Sequence, residues 1–296
     1  LEQEKNMIVV TGAAGRTGLR IIPQLAKTGE LIRALVHREE QISLVEDVGA
    51  QDTIVGDMHD RATLDQAVEG ARALYHICPG ADPYEATIGE MLIEAAKAAG
   101  VERFVYHSVM HPHLTMLTHH AQKLIVEEKL IMSGLWFTIL QPASYMQNNL
   151  DQLDAIKQGA FPTMYDLTTS VGMVDLDDVG EVAAKVLTEN THKNATYELC
   201  SGESLSVAGI IQIWEKCLGI VVEYRPMPIE AWEERMASFG REPERIATLV
   251  RMFRYYQEYG FPGNANILSW LLQRPATSYE EFVLKTLQAS GEQSEQ

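Results

Sequence analysis

Met7-Ile8-Val9-Val10-Thr11-Gly12-Ala13-Ala14-Gly15-Arg16-Thr17-Gly18 joins a short apolar run to three glycines spaced three apart. Met7 to Thr11 reads as a buried strand and Gly15 to Thr28 as the helix that it feeds. At this spacing Gly12 permits a tight turn, Gly15 lets a pyrophosphate approach the backbone, and Gly18 lets the helix pack close to the sheet. With Ala14, Arg16 and Thr17 they place the free N–H groups and positive dipole end of a helix around an anion. Glycines that merely shape a turn are the alternative. A strand directly before and a helix directly after favour a dinucleotide cradle.

The pattern repeats outward from this loop. Strands are predicted at Ile32 to His37, Asp52 to Val55, Ala73 to Cys78, Phe104 to Val109 and Trp136 to Gln141. Helices are predicted at Thr63 to Glu69, Ala86 to Ala99 and Thr118 to Ser133. Strand alternating with helix implies an α/β fold, a doubly wound parallel sheet of the Rossmann type. Pro23 falls inside the first helix, where a kink or irregular turn is expected. Beyond Gln141 the pattern loosens to a strand at Thr196 to Cys200, a helix at Val207 to Leu218, a strand at Val221 to Arg225, and mostly helix thereafter. We therefore expect a dinucleotide-binding domain over residues 7–150, with its sheet completed by segments around 168–200. A small, mostly helical substrate lobe is expected over 151–290. Polar Leu1 to Asn6 stay outside the fold argument, and the chain is expected to fray from about Ser290.

The second strand ends Leu35-Val36-His37-Arg38, with no carboxylate at its tip. An acidic residue there would hold the ribose hydroxyls of NAD(H), whereas a 2′-phosphate needs nearby cations. Arg38, with His37 or Arg16, supplies them, so NADP(H) is expected and NAD(H) is the lesser possibility. The alternative makes these residues solvated surface bases beside Glu39 and Glu40. Asp57, next to Met58 after the third strand, is placed either to accept from an adenine amine or to cap its turn. Cys78, Pro79 and Gly80, after the fourth strand, would pass the cofactor's middle or form a simple turn.

Reduction of a carbonyl or activated double bond needs a tuned proton donor. His119 and Lys123 lie four apart on one helical face, where Lys123 would lower the imidazole pKa and contact the ribose. His119 is the candidate acid, Lys123 its tuner, Ser108 a carbonyl-orienting donor, Pro142 a neighbour of the nicotinamide and Tyr145 a substrate contact. The alternative leaves His119 on the surface and Lys123 as a ribose ligand only. Five histidines fall between His107 and His120, but no nearby Cys or carboxylate completes a ligand spacing, and no metal site is predicted.

Lys and Arg total 24 against 41 Asp and Glu, a formal charge of −17 that repels nucleic-acid phosphates and anionic lipid. Cys78, Cys200 and Cys217 match no metal or redox spacing and fit a reducing compartment. No apolar run approaches the roughly 20 residues of a membrane span, and no secretory signal is seen. A cytoplasmic protein acting on a small molecule is expected.

From Met7 to Trp232 the chain resembles the NmrA-like branch of the atypical short-chain dehydrogenases/reductases. The likeness is carried by Thr11 to Gly18, Ile32 to His37, Gly56-Asp57, Val101 to Ser108, Ser133 to Pro142 and Val174 to Ala183. It implies a Rossmann domain with a small C-terminal lobe, NADP(H) as ligand, and one of two kinds of function. Some members reduce quinones, dyes, azo compounds or phenylpropanoid double bonds, and others are dinucleotide-binding regulators. The wider superfamily's Tyr-x-x-x-Lys pair is here His119 and Lys123, an arrangement similar to that of an NADPH-sensing member, and its Arg before the Pro of the sixth strand is here Gln141.

The first expectation is an NADPH-dependent oxidoreductase of a quinone, enone or carbonyl compound, with the proton from His119 or water. The second is a non-catalytic NADP(H)-responsive regulator of a partner protein, which would bind NADPH without turnover. An epimerase or isomerase ranks third, because the Tyr is missing. Gly240 to Leu272 is expected to be helical and to cover the pocket or form an interface, with a homodimer as one such assembly.

Overall fold

In the computed structural model, which describes residues 7–202 and 204–292, the alternating first half closes into one sheet. Its elements are β1 (Met7–Val10), α1 (Gly18–Ala26), β2 (Leu31–Val36), α2 (Ile42–Glu46), β3 (Asp52–Val55) and α3 (Arg61–Val68), then β4 (Ala71–His76), α4 (Glu85–Ala99), β5 (Arg103–His107), α5 (Thr118–Met132) and β6 (Trp136–Pro142). The chain continues through β7 (Ser144–Tyr145), α6 (Leu153–Lys157), β8 (Ala160–Thr163), β9 (Ser170–Val171), β10 (Met173–Val174), α7 (Leu176–Thr188) and β11 (Ala195–Leu199). It ends with β12 (Leu205–Ser206), α8 (Val207–Leu218), β13 (Glu223–Pro226), α9 (Ile229–Ser238), α10 (Pro243–Tyr259), α11 (Asn266–Leu272) and α12 (Tyr279–Glu292).

The seven-stranded sheet has the order β11-β6-β5-β4-β1-β2-β3 and is parallel, as a Rossmann-type fold requires. At its edge Asn194 N–H donates to the Phe137 carbonyl and Ala143 N–H to the Leu199 carbonyl, so β11 runs with β6. Crossovers from β1 lead one way to β2 and β3, and the later ones lead the other way to β5 and β6. The carboxyl ends of β1 and β4 thus form the switch point, the place where open α/β sheets bind ligands.

Two compact units emerge. The first comprises the chain up to Pro142 with Val179–Glu198, and the second comprises Ala143–Asp178 with the chain from Leu199 on. In the first unit, α4 and α5 cover one sheet face around Leu92, Phe104, Tyr106 and Val126. Gly180 lets α7 lie against α1, because a Cβ there would sit 2.6 Å from the Arg20 carbonyl oxygen. In the second unit, Trp214 is fully buried among Phe161, Ile211 and Phe282, and its indole N–H donates to the Tyr279 hydroxyl at 3.0 Å. The Gly240 to Leu272 stretch is helical there, with Ile246, Val250 and Tyr256 turned inward.

One local expectation needs correction. The first helix starts at Gly18 and not at Gly15, because residues 11–17 are spent on turns. Helix α1 also runs through Pro23 as one element. The missing proline N–H leaves the Leu19 carbonyl without its helical donor, yet Lys27 N–H still reaches the Pro23 carbonyl at 3.3 Å. At the far end, Ser290 lies within α12, and residues 293–296 fall outside the described chain, as do Leu1 to Asn6. Among the described residues no helix is long and apolar enough to cross a membrane.

Candidate active site

The glycine loop sits at the switch point, and its three glycines do different things. Gly12 has φ +58°, and a Cβ on it would lie 2.7 Å from the Ile77 carbonyl oxygen, so the loops after β1 and β4 touch through bare backbone. Gly18 is pressed against Ala13, whose carbonyl oxygen would be 2.3 Å from an added Cβ. Around Gly15, in contrast, the protein offers an added Cβ only the Gly12 carbonyl oxygen, at 3.1 Å. That exposed side is the open face of a cradle. Thr11 clamps the loops from beneath: its Oγ1 donates to the Ile77 carbonyl, accepts from the Ile77 N–H, and lies 2.9 Å from His76 Nδ1. Cys78 is buried just beyond, with Pro79 half-buried after it. The residues present fit a dinucleotide pyrophosphate.

Beyond the tip of β2, His37 and Arg38 are exposed, as is Arg16 of the glycine loop, and the nearest acids along the chain, Glu39 and Glu40, belong to the following turn. Gln41 Oε1 ties that turn down by accepting the backbone N–H groups of His37 and Arg38. Asp57 is engaged by its own turn: Oδ1 accepts the His59 backbone N–H at 2.9 Å and meets the His59 ring at 2.7 Å. The His59 backbone N–H, then its ring, hold the Asp57 carboxyl below the usual range. Met58 is half-buried beside it.

The cluster around His119 and Lys123 is organised by a residue that the sequence reading missed. Glu85, in the first turn of α4, is completely buried, and its Oε1 accepts from Lys123 Nζ at 2.6 Å and from the Tyr106 hydroxyl at 2.8 Å. Lys123 also donates to the His107 carbonyl at 3.0 Å, which leaves one of its three N–H bonds for another partner. His119 Nδ1 faces the second oxygen of Glu85 at 3.7 Å, and both atoms are buried without a hydrogen bond. Burial, with the charge of Lys123 second, drives the His119 pKa well below its ordinary value, so the ring is neutral at physiological pH. His119 and Lys123 are therefore together, as their four-residue spacing implied, with Glu85 between them.

Ser108 is placed differently from expectation. Its hydroxyl donates to the buried carboxylate of Glu127, whose oxygens also accept from Gln141 Nε2 at 2.9 and 3.0 Å. Burial raises the pKa of Glu127. With its single hydroxyl hydrogen committed, Ser108 in this arrangement has none to give a substrate carbonyl. Gln141, where the resemblance has Arg, is the neutral donor to Glu127. The Pro142 carbonyl accepts from Met110 N–H at 2.9 Å and fixes the loop after β5. Tyr145 belongs to the second unit, half-buried on β7, where it pairs with Val174. The histidine-rich loop is dispersed: His107 meets the Tyr75 hydroxyl, His120 donates from Nδ1 to the His111 carbonyl, and His111 faces Glu198. Among the described residues no group of three or more His, Cys, Asp or Glu could hold a metal ion.

The family model described as NmrA-like family matches residues 4–283. The NAD(P)H azoreductase of Xenophilus azovorans is 26% identical over 287 residues, spanning 96% of this chain and 99% of that protein. The (4-alkanoyl-5-oxo-2,5-dihydrofuran-3-yl)methyl phosphate reductase of Streptomyces griseus subsp. griseus is 29% identical over 281 residues, 93% of this chain and 96% of that protein. Among solved structures, the NADPH-dependent quinone oxidoreductase QOR2 of Escherichia coli, complexed with NADPH, superposes with a TM-score of 0.80 at 25% identity. That similarity covers 95% of this chain and all of the other.

Proposed function

The chain belongs to the NmrA-like family, and from that premise we propose that it is an NADPH-dependent reductase of a small organic acceptor such as a quinone, azo compound or enone. The observation that carries the reading is the glycine cradle at the switch point, flanked by a β2 tip with cations and no carboxylate. Relatives named as reductases along nearly the whole chain support it. They favour it over the regulator reading, which needs only the cradle.

When bound, the reduced nicotinamide supplies a hydride. The chain's own residues do the rest. The loop from Gly12 to Gly18 holds the pyrophosphate, with Cys78 and Pro79 along its other side. Arg16, His37 and Arg38 neutralise the 2′-phosphate. Asp57 stays available to the adenine through its second oxygen. The free N–H of Lys123 serves a ribose hydroxyl, and Pro142 borders the nicotinamide end. His119 passes a proton to the reduced acceptor, so that acceptor, NADPH and H⁺ give the dihydro product and NADP⁺. Tyr145 is assigned to substrate contact.

Calorimetric titration with NADPH and NADH, followed by absorbance at the reduced-nicotinamide band against quinones, azo dyes and enones, tests this reading. Tighter NADPH binding with acceptor-dependent oxidation is expected. Tight binding with no oxidation by any acceptor would replace it with the regulator reading.

A further inference from the structure

Glu85 is buried beneath the reaction end, and its two oxygens are treated unequally. Oε1 is saturated by a lysine and a tyrosine, whereas Oε2 has no donor although it is cut off from water. A buried carboxylate oxygen left bare is costly, so the nearest group able to donate is drawn to it. That group is His119 Nδ1, at 3.7 Å and equally bare. A side-chain adjustment of under about 1 Å would bring the pair within hydrogen-bond range.

We propose that Glu85 is the positioning residue of this site, holding Lys123 through Oε1 and fixing His119 through Oε2 in the tautomer protonated at Nδ1. This rests on the reductase reading for its consequence but not for its geometry. A neutral imidazole carries one N–H, and a carboxylate facing Nδ1 selects the form with the hydrogen there. Nδ1 is buried while 16% of the side chain stays exposed, which leaves Nε2 as the nitrogen that a ligand can reach. In the resting site Nε2 therefore presents a lone pair.

The proton route follows. A hydronium ion from solvent first protonates Nε2 and leaves as water, and the imidazolium is held between Glu85 Oε2, which favours it, and Lys123, which opposes it. The Nε2–H bond then breaks as an O–H or N–H bond forms on the acceptor, whose reduction would use the hydride that bound NADPH supplies. His119 returns to its neutral Nδ1–H form. The groups facing this ring are Glu85 from α4, and Lys123 and His120 from α5, whose ring centroid is 6.0 Å away. Across the cluster, Tyr106 of β5 stays protonated, because burial and then Glu85 raise its pKa well above the ordinary value.

The test uses the full chain labelled with ¹⁵N-histidine, with the His119 signals assigned by their loss in His119→Gln. At pH 7.5 the wild type is expected to show the Nδ1–H tautomer, and Glu85→Gln, which keeps the shape but removes the charge, to shift toward Nε2–H. In the NADPH–quinone assay, the fall of kcat with rising pH should begin at least one unit lower in Glu85→Gln. An Nε2–H tautomer in the wild type, or the same tautomer in both proteins, overturns the proposal. If Glu85→Gln does not fold, the wild-type spectrum alone decides. If no acceptor is reduced, the reductase reading fails while the tautomer still tests Glu85.

Discussion

Glu85 and Lys123, 38 residues apart in sequence, meet at 2.6 Å with both side chains almost wholly buried. Such a pair is worth little over an apolar replacement, but removing one partner strands the other charge in a low-dielectric interior. Lys123→Ala should therefore destabilise the protein by about 3–5 kcal/mol, and the double variant Lys123→Met/Glu85→Gln should regain much of that. Urea unfolding measures both. A Lys123→Ala midpoint equal to that of the wild type would mean that the pair is not buried as described.

The glycine loop separates folding from binding. Gly12→Ala forces a side chain into the left-handed region and into the Ile77 carbonyl, and Gly18→Ala drives one into Ala13. Each should cost about 1–3 kcal/mol of stability. Gly15→Val meets only the Gly12 carbonyl oxygen, at 3.1 Å from its Cβ, so its melting temperature should fall less than that of Gly12→Ala or Gly18→Ala while NADPH affinity drops at least tenfold. Unchanged affinity in Gly15→Val would remove the pyrophosphate from this loop.

The proposed preference for NADPH assigns the 2′-phosphate to the exposed cations beyond β2. Loss of a charged hydrogen bond to the 2′-phosphate costs about 1.5–3 kcal/mol, or roughly 10- to 100-fold in affinity. Arg38→Ala should weaken NADPH by that factor and leave NADH within about twofold. Equal losses for the two nucleotides would show that Arg38 does not read the phosphate.

How much of this could be read in advance follows from how local each signal is. The strands of the parallel sheet announce themselves as apolar runs because they are buried on both faces. The glycine spacing marks the turn, but the turn delays α1 to Gly18, since Gly12 at φ +58° must reverse the chain before a helix can start. The buried carboxylates were harder. Glu127 stands at the third step of a stripe from His119 through Lys123, a four-residue repeat that would have put it on the same face. Glu85 has no such marker, because an acid in a helix's first turn is ordinarily solvated and only the approach of α5 and β5 buries it. The role expected of Ser108 changed for the same reason: its partner Glu127 is 19 residues away.

The buried histidines make stability depend on pH, and the sign is fixed by the direction of their shifts. His76 and His107 are pushed down to about 3, by burial first and then by the charge of Lys123, from an ordinary value of 6.5. Both are neutral in the native protein, while in the unfolded chain they take up protons below about pH 6.5. Their contribution is thus complete above that pH and is lost progressively as the pH falls toward 3, at about 1.4 kcal/mol per pH unit for each ring. Between pH 7 and 5 each ring should remove about 2 kcal/mol from the unfolding free energy. His107→Phe should lower stability at pH 7, where the hydrogen bond between the Tyr75 hydroxyl and the ring is lost, and should flatten the acid slope by the share of one ring. Urea unfolding at pH 7, 6 and 5 gives both slopes. Identical slopes in the variant and the wild type would mean that His107 titrates normally in the native state and that the interior beneath the reaction end is open to water.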